Sequence, residues 1–168
     1  GEFDVGFITI DTVPCFTAGT RVRTPEGDRP VQTLRPGDLV LTRDNGPQPV
    51  RWIGRRTTPA TDRMAPVQIA AGTFGDHGRL TVSPLHRILV AQARSELYFG
   101  ESEVLVAARD LIDGGAVQRV EGGWVEYVHL MFDTHQVLWS EGLQTESFLP
   151  GPQTTSCFER EAIAEIVA

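Results

Sequence analysis

The chain has 168 residues, of which 40% are hydrophobic and 22% charged, a composition typical of one folded domain and not of a disordered or fibrous protein. Its formal net charge of −7 argues against nucleic acid as a partner. The longest unbroken apolar run, Val104 to Ala108, is too short to span a membrane. The 17 glycines and 11 prolines favour short strands and tight turns over long helices.

Alternating apolar and polar residues, separated by turn residues, predict strands along most of the chain. The strongest hairpin signal is Asp44-Asn45-Gly46-Pro47, which is expected to lead into a strand at Val50–Ile53. Residues 57–66 have the composition of a loop. Only the tail, Cys157 to Val167, has apolar residues at helical spacing. The sequence therefore predicts an all-β protein with a short C-terminal helix. The predicted strands are Phe7–Val13, Arg21–Thr24, Leu39–Thr42, Val50–Ile53, Val67–Ala70, Arg79–Val82, Ile88–Ala91, Ala116–Val120, Val125–Phe132 and Gln136–Trp139.

A short internal repeat accompanies these strands. Leu34 to Val40 and Leu111 to Val117 share a leucine, a glycine three residues later and a valine three residues after that. Three matched positions are weak evidence of a duplication when taken alone.

Four ordered segments carry a family resemblance. They are Val13 to Thr20 (VPCFTAGT), Leu34 to Asp38 (LRPGD), Ser83 to Val90 (SPLHRILV) and Tyr127 to Gly142 (YVHLMFDTHQVLWSEG). Together they resemble the Hint domain, the Hedgehog/intein self-processing module, and most of all the bacterial Hint domains that lack splicing residues. The resemblance implies a pseudo-twofold β-horseshoe, of which the repeat would mark the two halves.

The resemblance also divides the chain into three parts. Residues 1–14 are interpreted as an upstream flank, of which Gly1, Glu2 and Phe3 look like a cloning remnant. Residues 15–148 are the expected Hint domain, and residues 149–168 are a C-terminal extension with the helix.

Cys15 is the candidate nucleophile. Attack of its thiol on the carbonyl of Pro14 would convert the Pro14–Cys15 amide into a thioester, a reaction that needs a proton donor for the departing amine. His86 can supply that proton, and Ser83, in the Thr position of the family's Thr-x-x-His motif, can act on the same peptide. Outside this motif, the usual interpretation would be a buried packing cysteine, a structural histidine and a turn serine.

Two further histidines are candidates. His129 shares a strand face with Tyr127 and lies near a position where inteins often carry Asp, so it is a candidate second acid–base group or a structural strand residue. His135 matches the usual family histidine, and a role in the turn is equally compatible with its sequence. Two cysteines and four histidines without metal-ligand spacing predict neither a metal site nor a cofactor.

The C-terminal motif departs from that of inteins, which end in His-Asn followed by Cys, Ser or Thr. Glu146 stands in the place of that His, Ser147 in the place of Asn and Phe148 in the place of the acceptor. Serine has no carboxamide to cyclise and phenylalanine has no heteroatom to accept an acyl group. We therefore expect self-cleavage at Pro14–Cys15 without protein splicing.

The expected partners are the covalently attached upstream segment and an external nucleophile, namely water, a thiol or an amine. All 15 basic residues are arginine, so the chain has no lysine amine of its own. We expect a monomer without nucleic-acid or membrane partners. Two alternatives remain at this stage: an inactive Hint-fold interaction module, or a Cys/His hydrolase that acts in trans.

Overall fold

The computed structural model describes residues 14–91 and 103–147. The predicted Phe7–Val13 strand and the C-terminal helix lie outside these residues. Short 3-10 turns occupy Val31–Thr33, Asp62–Met64 and Ala108–Leu111. The strands are β1 (Phe16–Thr17), β2 (Arg21–Thr24), β3 (Gly27–Pro30), β4 (Leu39–Thr42), β5 (Gly46–Pro49), β6 (Trp52–Pro59), β7 (Val67–Ile69), β8 (Leu80–Val82), β9 (Arg87–Ala91), β10 (Glu103–Ala107), β11 (Val117–Arg119), β12 (Trp124–Met131), β13 (Val137–Ser140) and β14 (Leu143–Glu146).

These strands form two sheets within the described residues. The first has the order β11-β7-β8-β1-β12-β6, and the second has the order β10-β9-β14-β13-β2-β3, with β4 on β13 and β5 on β4. All the strand pairs are antiparallel. In the described ranges no helix is long and apolar enough to span a membrane.

The predicted all-β class is confirmed, and most predicted strands match within a residue or two. The loop predicted for residues 57–66 is wrong at its start, because β6 continues to Pro59. Thr57, Thr58 and Pro59 pair with β12 along the same ladder as the rest of β6, so tertiary pairing overrides their loop-like composition.

A hairpin is present at Asp44–Pro47, since β4 pairs directly with β5. Its second strand is β5 and not the predicted Val50–Ile53, so Gly46 and Pro47 already lie in a strand. Five strands were not predicted from the sequence: β1, β3, β5, β10 and β14. β1 and β3 are short, and Gly27 enters β3 with a φ of 109°, which favours glycine.

The internal repeat has a structural counterpart. In each copy a 3-10 turn precedes or contains the shared leucine, and the shared glycines Gly37 and Gly114 have φ values of 97° and 80°. The shared valines Val40 and Val117 lie in strands and are buried. The repeat therefore marks the same local structure in both halves.

One buried hydrophobic cluster links the sheets. It includes Phe16 next to Cys15, Val82 next to Ser83 and Ile88 close to His86. The polar residues at the ends of these strands are consequently held on a packed, rigid base.

Candidate active site

The register of the first sheet determines the surroundings of Cys15. Phe16 in β1 lies opposite Val82 in β8 on one side and opposite Val128 in β12 on the other. In antiparallel pairing the preceding residue lies opposite the following residue of each partner. Cys15 is therefore located between Ser83 and His129.

Cys15 and His129 form a buried contact. The sulfur of Cys15 lies 3.5 Å from Nδ1 of His129, and the cysteine has 0% exposure. Burial raises the pKa of Cys15 far above its ordinary value, and the hydrogen bond with Ser83 opposes this to a smaller extent. Burial also lowers the pKa of His129 from 6.5 to about 4. At neutral pH the pair is thus an un-ionised thiol facing a neutral imidazole that can accept its proton.

The His129 ring is held in place from behind. Gly54 in β6 lies opposite His129 in β12, and a Cβ atom on Gly54 would lie 2.1 Å from Nε2 of the ring. The Trp52 ring packs on the same imidazole at a centroid distance of 5.0 Å. Gly54 is therefore required for space, and the contacts on this side hold the ring next to Cys15.

A tight turn explains the three-residue spacing between Ser83 and His86. The His86 N–H donates to the Ser83 carbonyl oxygen at 3.1 Å, so both side chains project from one turn. Ser83 Oγ accepts the Cys15 N–H at 2.9 Å, and the Ser83 N–H donates to the Cys15 carbonyl at 3.0 Å. The nitrogen of the Pro14–Cys15 bond is thus held by Ser83.

His86 lies between two main-chain carbonyl groups. Nδ1 is 3.0 Å from the oxygen of Cys15, and Nε2 is 2.7 Å from the oxygen of Glu146. Burial lowers the pKa of His86, and the hydrogen bonds to these carbonyl groups together with the charge of Glu146 oppose that shift. A neutral imidazole has one N–H, so only the protonated ring can donate to both oxygens. The two carbonyl oxygens therefore favour the protonated His86 ring, whereas burial lowers its pKa and makes the proton easy to release.

The carboxylate of Glu146 is surrounded by donors. Its register partner in β9 is Arg87, whose N–H, Nε and second guanidinium nitrogen donate to it at 3.0, 3.0 and 2.8 Å. Nε2 of His135 lies 2.9 Å from the same carboxylate. Burial alone would raise the pKa of Glu146, but the hydrogen bonds from His135 and Arg87 outweigh it and bring the pKa to about 2.

The predicted site residues divide into two groups. Cys15, Ser83, His86 and His129 meet around the Cys15 main chain and sulfur, whereas His135 reaches the group through Glu146. In the sequence, Glu146 stands out only as a departure from the intein motif. No sequence signal marked it as a buried carboxylate, because its partners come from β9 and from the segment before β13.

The family is settled by a comparison with protein-family models, in which the Hint domain model matches residues 14–152. The chain belongs to the Hint domain family. Among curated proteins, no sequence matches it significantly.

Solved structures agree on the Hint fold. The TvoVMA intein is similar with a TM-score of 0.56 and 13% identity, over 79% of this chain and 96% of that one. The gp41-1 intein gives a TM-score of 0.51 and 14% identity, over 79% and 97%. A bacterial intein-like domain from Clostridium thermocellum gives 0.50 and 13%, over 80% and 98%. This chain is thus an intein-like, all-β Hint domain of the self-processing class.

The geometry of this Hint domain allows a specific kind of chemistry. A thiol lies next to a base, and the nitrogen of the adjoining peptide bond lies next to a hydroxyl. A second imidazole lies at the carbonyl oxygen of the same cysteine. These are the groups that an acyl transfer from nitrogen to sulfur requires.

Proposed function

We propose that this Hint domain cleaves its own chain between Pro14 and Cys15 by an N–S acyl shift, and that no protein splicing follows. The upstream segment is then released to water or to another external nucleophile. The reaction is a single turnover in cis.

His129 is proposed as the base in the first step. The Cys15 thiol gives its proton to Nδ1 of His129, 3.5 Å away, and the sulfur attacks the carbonyl carbon of Pro14. Burial disfavours both the thiolate of Cys15 and the imidazolium of His129. The thiolate therefore exists only transiently and attacks the carbonyl carbon as soon as it forms. A base at this distance removes the need for a preformed thiolate.

Ser83 and His86 are proposed to act on the leaving nitrogen. The carbon–nitrogen bond of Pro14–Cys15 breaks while the carbon–sulfur bond forms, and the nitrogen gains one proton. Ser83 Oγ holds this nitrogen, and His86, whose Nδ1 lies at the carbonyl of the same residue, supplies the proton. The shift is an isomerisation, so the proton lost by sulfur balances the proton gained by nitrogen.

Splicing is excluded from the proposal by the residues at the other end of the domain. Glu146 and Ser147 occupy the positions of the intein His and Asn, and neither can form the cyclic imide that releases a C-terminal segment. Ser147 Oγ accepts the Gln136 N–H at 2.9 Å, so it has a structural partner.

The observation that supports the proposal most strongly is the dual contact of Cys15, with its sulfur on His129 and its nitrogen on Ser83. The test is incubation of the purified chain with dithiothreitol, followed by intact-mass spectrometry. We expect pieces 1–14 and 15–168, and we expect Cys15→Ala to abolish them. Equal cleavage of Cys15→Ala would show that no thioester is involved.

The hydrolase alternative is less compatible with the burial of the thiol. Cys15 has 0% exposure, so a separate peptide could reach it only after the domain opened. The inert-module alternative predicts a stable mass in the same experiment.

A further inference from the structure

A cleft of about 490 Å³ opens next to the proposed cleavage site. Pro14, the residue whose carbonyl would become the thioester, lines it together with Arg87, His135 and Glu146. Cys15 is fully buried, so an external nucleophile needs another route to the Pro14 acyl group. The cleft gives such a nucleophile a route to the acyl group from the side of Pro14.

The His135–Glu146 pair gives this cleft a defined proton acceptor. The Glu146 side chain is only 5% exposed and is ionised, so its oxygens can only accept hydrogen bonds. Nε2 of His135, at 2.9 Å, must therefore carry a hydrogen and donate it. When the ring is neutral, this arrangement leaves the lone pair on Nδ1, and in the described ranges Nδ1 has no hydrogen-bond partner.

The His135 ring is accessible to solvent in the cleft. Its side chain is 31% exposed, whereas the side chain of Glu146 is 5% exposed. The buried carboxylate therefore orients the ring, while the ring itself meets solvent in the cleft. A histidine oriented by a buried carboxylate is a general arrangement for removing a proton from a nucleophile. Arg87 contributes by balancing the negative charge of Glu146 through its guanidinium group.

We propose that this cleft is the binding site of the acyl acceptor, and that His135, positioned by Glu146, is the general base that activates it. The acceptor class is a small nucleophile whose attacking atom still carries a proton, with water as the simplest member. The inference rests on the thioester of the proposed function. It assigns catalysis to His135 and positioning to Glu146.

The step balances as a hydrolysis. Water gives one proton to Nδ1 of His135 while its oxygen bonds to the carbonyl carbon of Pro14. The bond from that carbon to the sulfur of Cys15 breaks, and the sulfur recovers a proton from the imidazolium. The products are a carboxylic acid at Pro14 and a free thiol and amine at Cys15.

The experiment compares two nucleophiles on the full chain. Attack by water needs a general base. Dithiothreitol is partly ionised to its thiolate at pH 8.5, so its attack does not need one. Hydrolysis is followed in ¹⁸O-labelled water, in which fragment 1–14 gains the label, and thiol cleavage is followed with dithiothreitol. The variants are His135→Gln, which can still donate to Glu146, and His135→Ala, with His77→Gln as a matched control on a loop that does not line the cleft.

We expect both His135 variants to hydrolyse about 10²-fold more slowly or worse, with thiol cleavage unchanged. Added imidazole should restore hydrolysis to His135→Ala, since the cleft is large enough to admit it. Unchanged hydrolysis in both variants would overturn the inference, as would equal loss of both reactions. If the parent chain shows no Cys15-dependent thiol cleavage, the proposed function itself fails, and that outcome is distinct from either.

Discussion

Nδ1 of His129 lies 3.5 Å from the sulfur of Cys15, and both side chains are buried. A base in this position matters more than usual, because burial keeps the thiol protonated at neutral pH. The two residues come from strands far apart in sequence, and they meet only because β1 is inserted between β8 and β12.

The first prediction concerns this pair. His129→Gln keeps a side chain that can hydrogen-bond to the thiol but cannot take up its proton. We expect dithiothreitol-induced cleavage at Pro14–Cys15 to slow by about 10²–10⁴, the usual contribution of a general base. Intact-mass spectrometry over time gives the rate. A rate equal to that of the parent would remove His129 from the mechanism.

The second prediction concerns Gly54. In Gly54→Ala the new methyl group would lie 2.1 Å from Nε2 of His129, so the ring must move away from its position at Cys15. We expect slower cleavage together with a lower free energy of unfolding. Gly115→Ala is the matched control, because its Cβ would meet its nearest neighbour, Asp113 Oδ1, at an ordinary 3.7 Å. If both variants cleave alike, the space behind His129 is not critical.

The sequence predicts the elements that depend on local interactions better than those that depend on pairing between distant segments. Local signals located β2, β4 and the turn after β4, because turn residues and alternation are local properties. The motif Ser83-x-x-His86 was also identifiable, since a single turn produces its spacing. The end of β6 was not predictable in this way, because Thr57 to Pro59 form a strand only through pairing with β12.

Glu146 illustrates the same limit within the site. Its ionised state depends on Arg87 and His135, which approach it from other segments. Without the pairing of β9 with β14, the sequence shows only that glutamate stands where the intein motif has histidine. The register places Arg87 next to it and gives the carboxylate its surroundings.

The third prediction concerns Ser83. Ser83→Ala removes the acceptor of the Cys15 N–H bond, which is 2.9 Å long and buried. An unpaired buried donor costs about 1–3 kcal/mol, so we expect a loss of that size in the free energy of unfolding. Cleavage should also slow, because the leaving nitrogen is no longer held. Denaturant unfolding and the cleavage assay test the two effects separately, and unchanged cleavage would leave Ser83 with a structural role alone.

The fourth prediction concerns acid stability. Above pH 6.5 His129 is neutral in both the folded and unfolded chain. As the pH falls, the unfolded chain takes up the proton near 6.5, whereas the folded one does so only near 4. The folded state therefore loses stability across this window, by about 3 kcal/mol at about 1.4 kcal/mol per pKa unit.

His129→Gln should flatten the dependence of the unfolding free energy on pH between 6.5 and 4.5. Some slope should remain, because burial also lowers the pKa of His86. Glu146, with a pKa of about 2 in place of 4.5, contributes only below that range. Denaturant titrations at several pH values provide the measurement, and an unaltered slope in the variant would contradict the assignment of a neutral, buried His129.

The last prediction concerns where the chain breaks and why it needs an acceptor. The chain has no lysine, so after the acyl shift the nearest amine is that of Cys15 itself, and its attack on the thioester restores the original peptide bond. We therefore expect the equilibrium to favour the intact amide until water, a thiol or hydroxylamine removes the thioester. Hydroxylamine should increase cleavage at Pro14–Cys15 in proportion to its concentration.

No condition should cleave the chain after Ser147. Its hydroxyl accepts the Gln136 N–H, and its N–H donates to the Gln136 carbonyl, so the residue is held just beyond the β13–β14 ladder. It also has no carboxamide with which to cyclise. Intact-mass spectra with and without hydroxylamine should contain only the whole chain and the pieces 1–14 and 15–168. A fragment ending at Ser147, reproducible in the absence of protease, would show that this Hint domain also reacts at its C-terminal side.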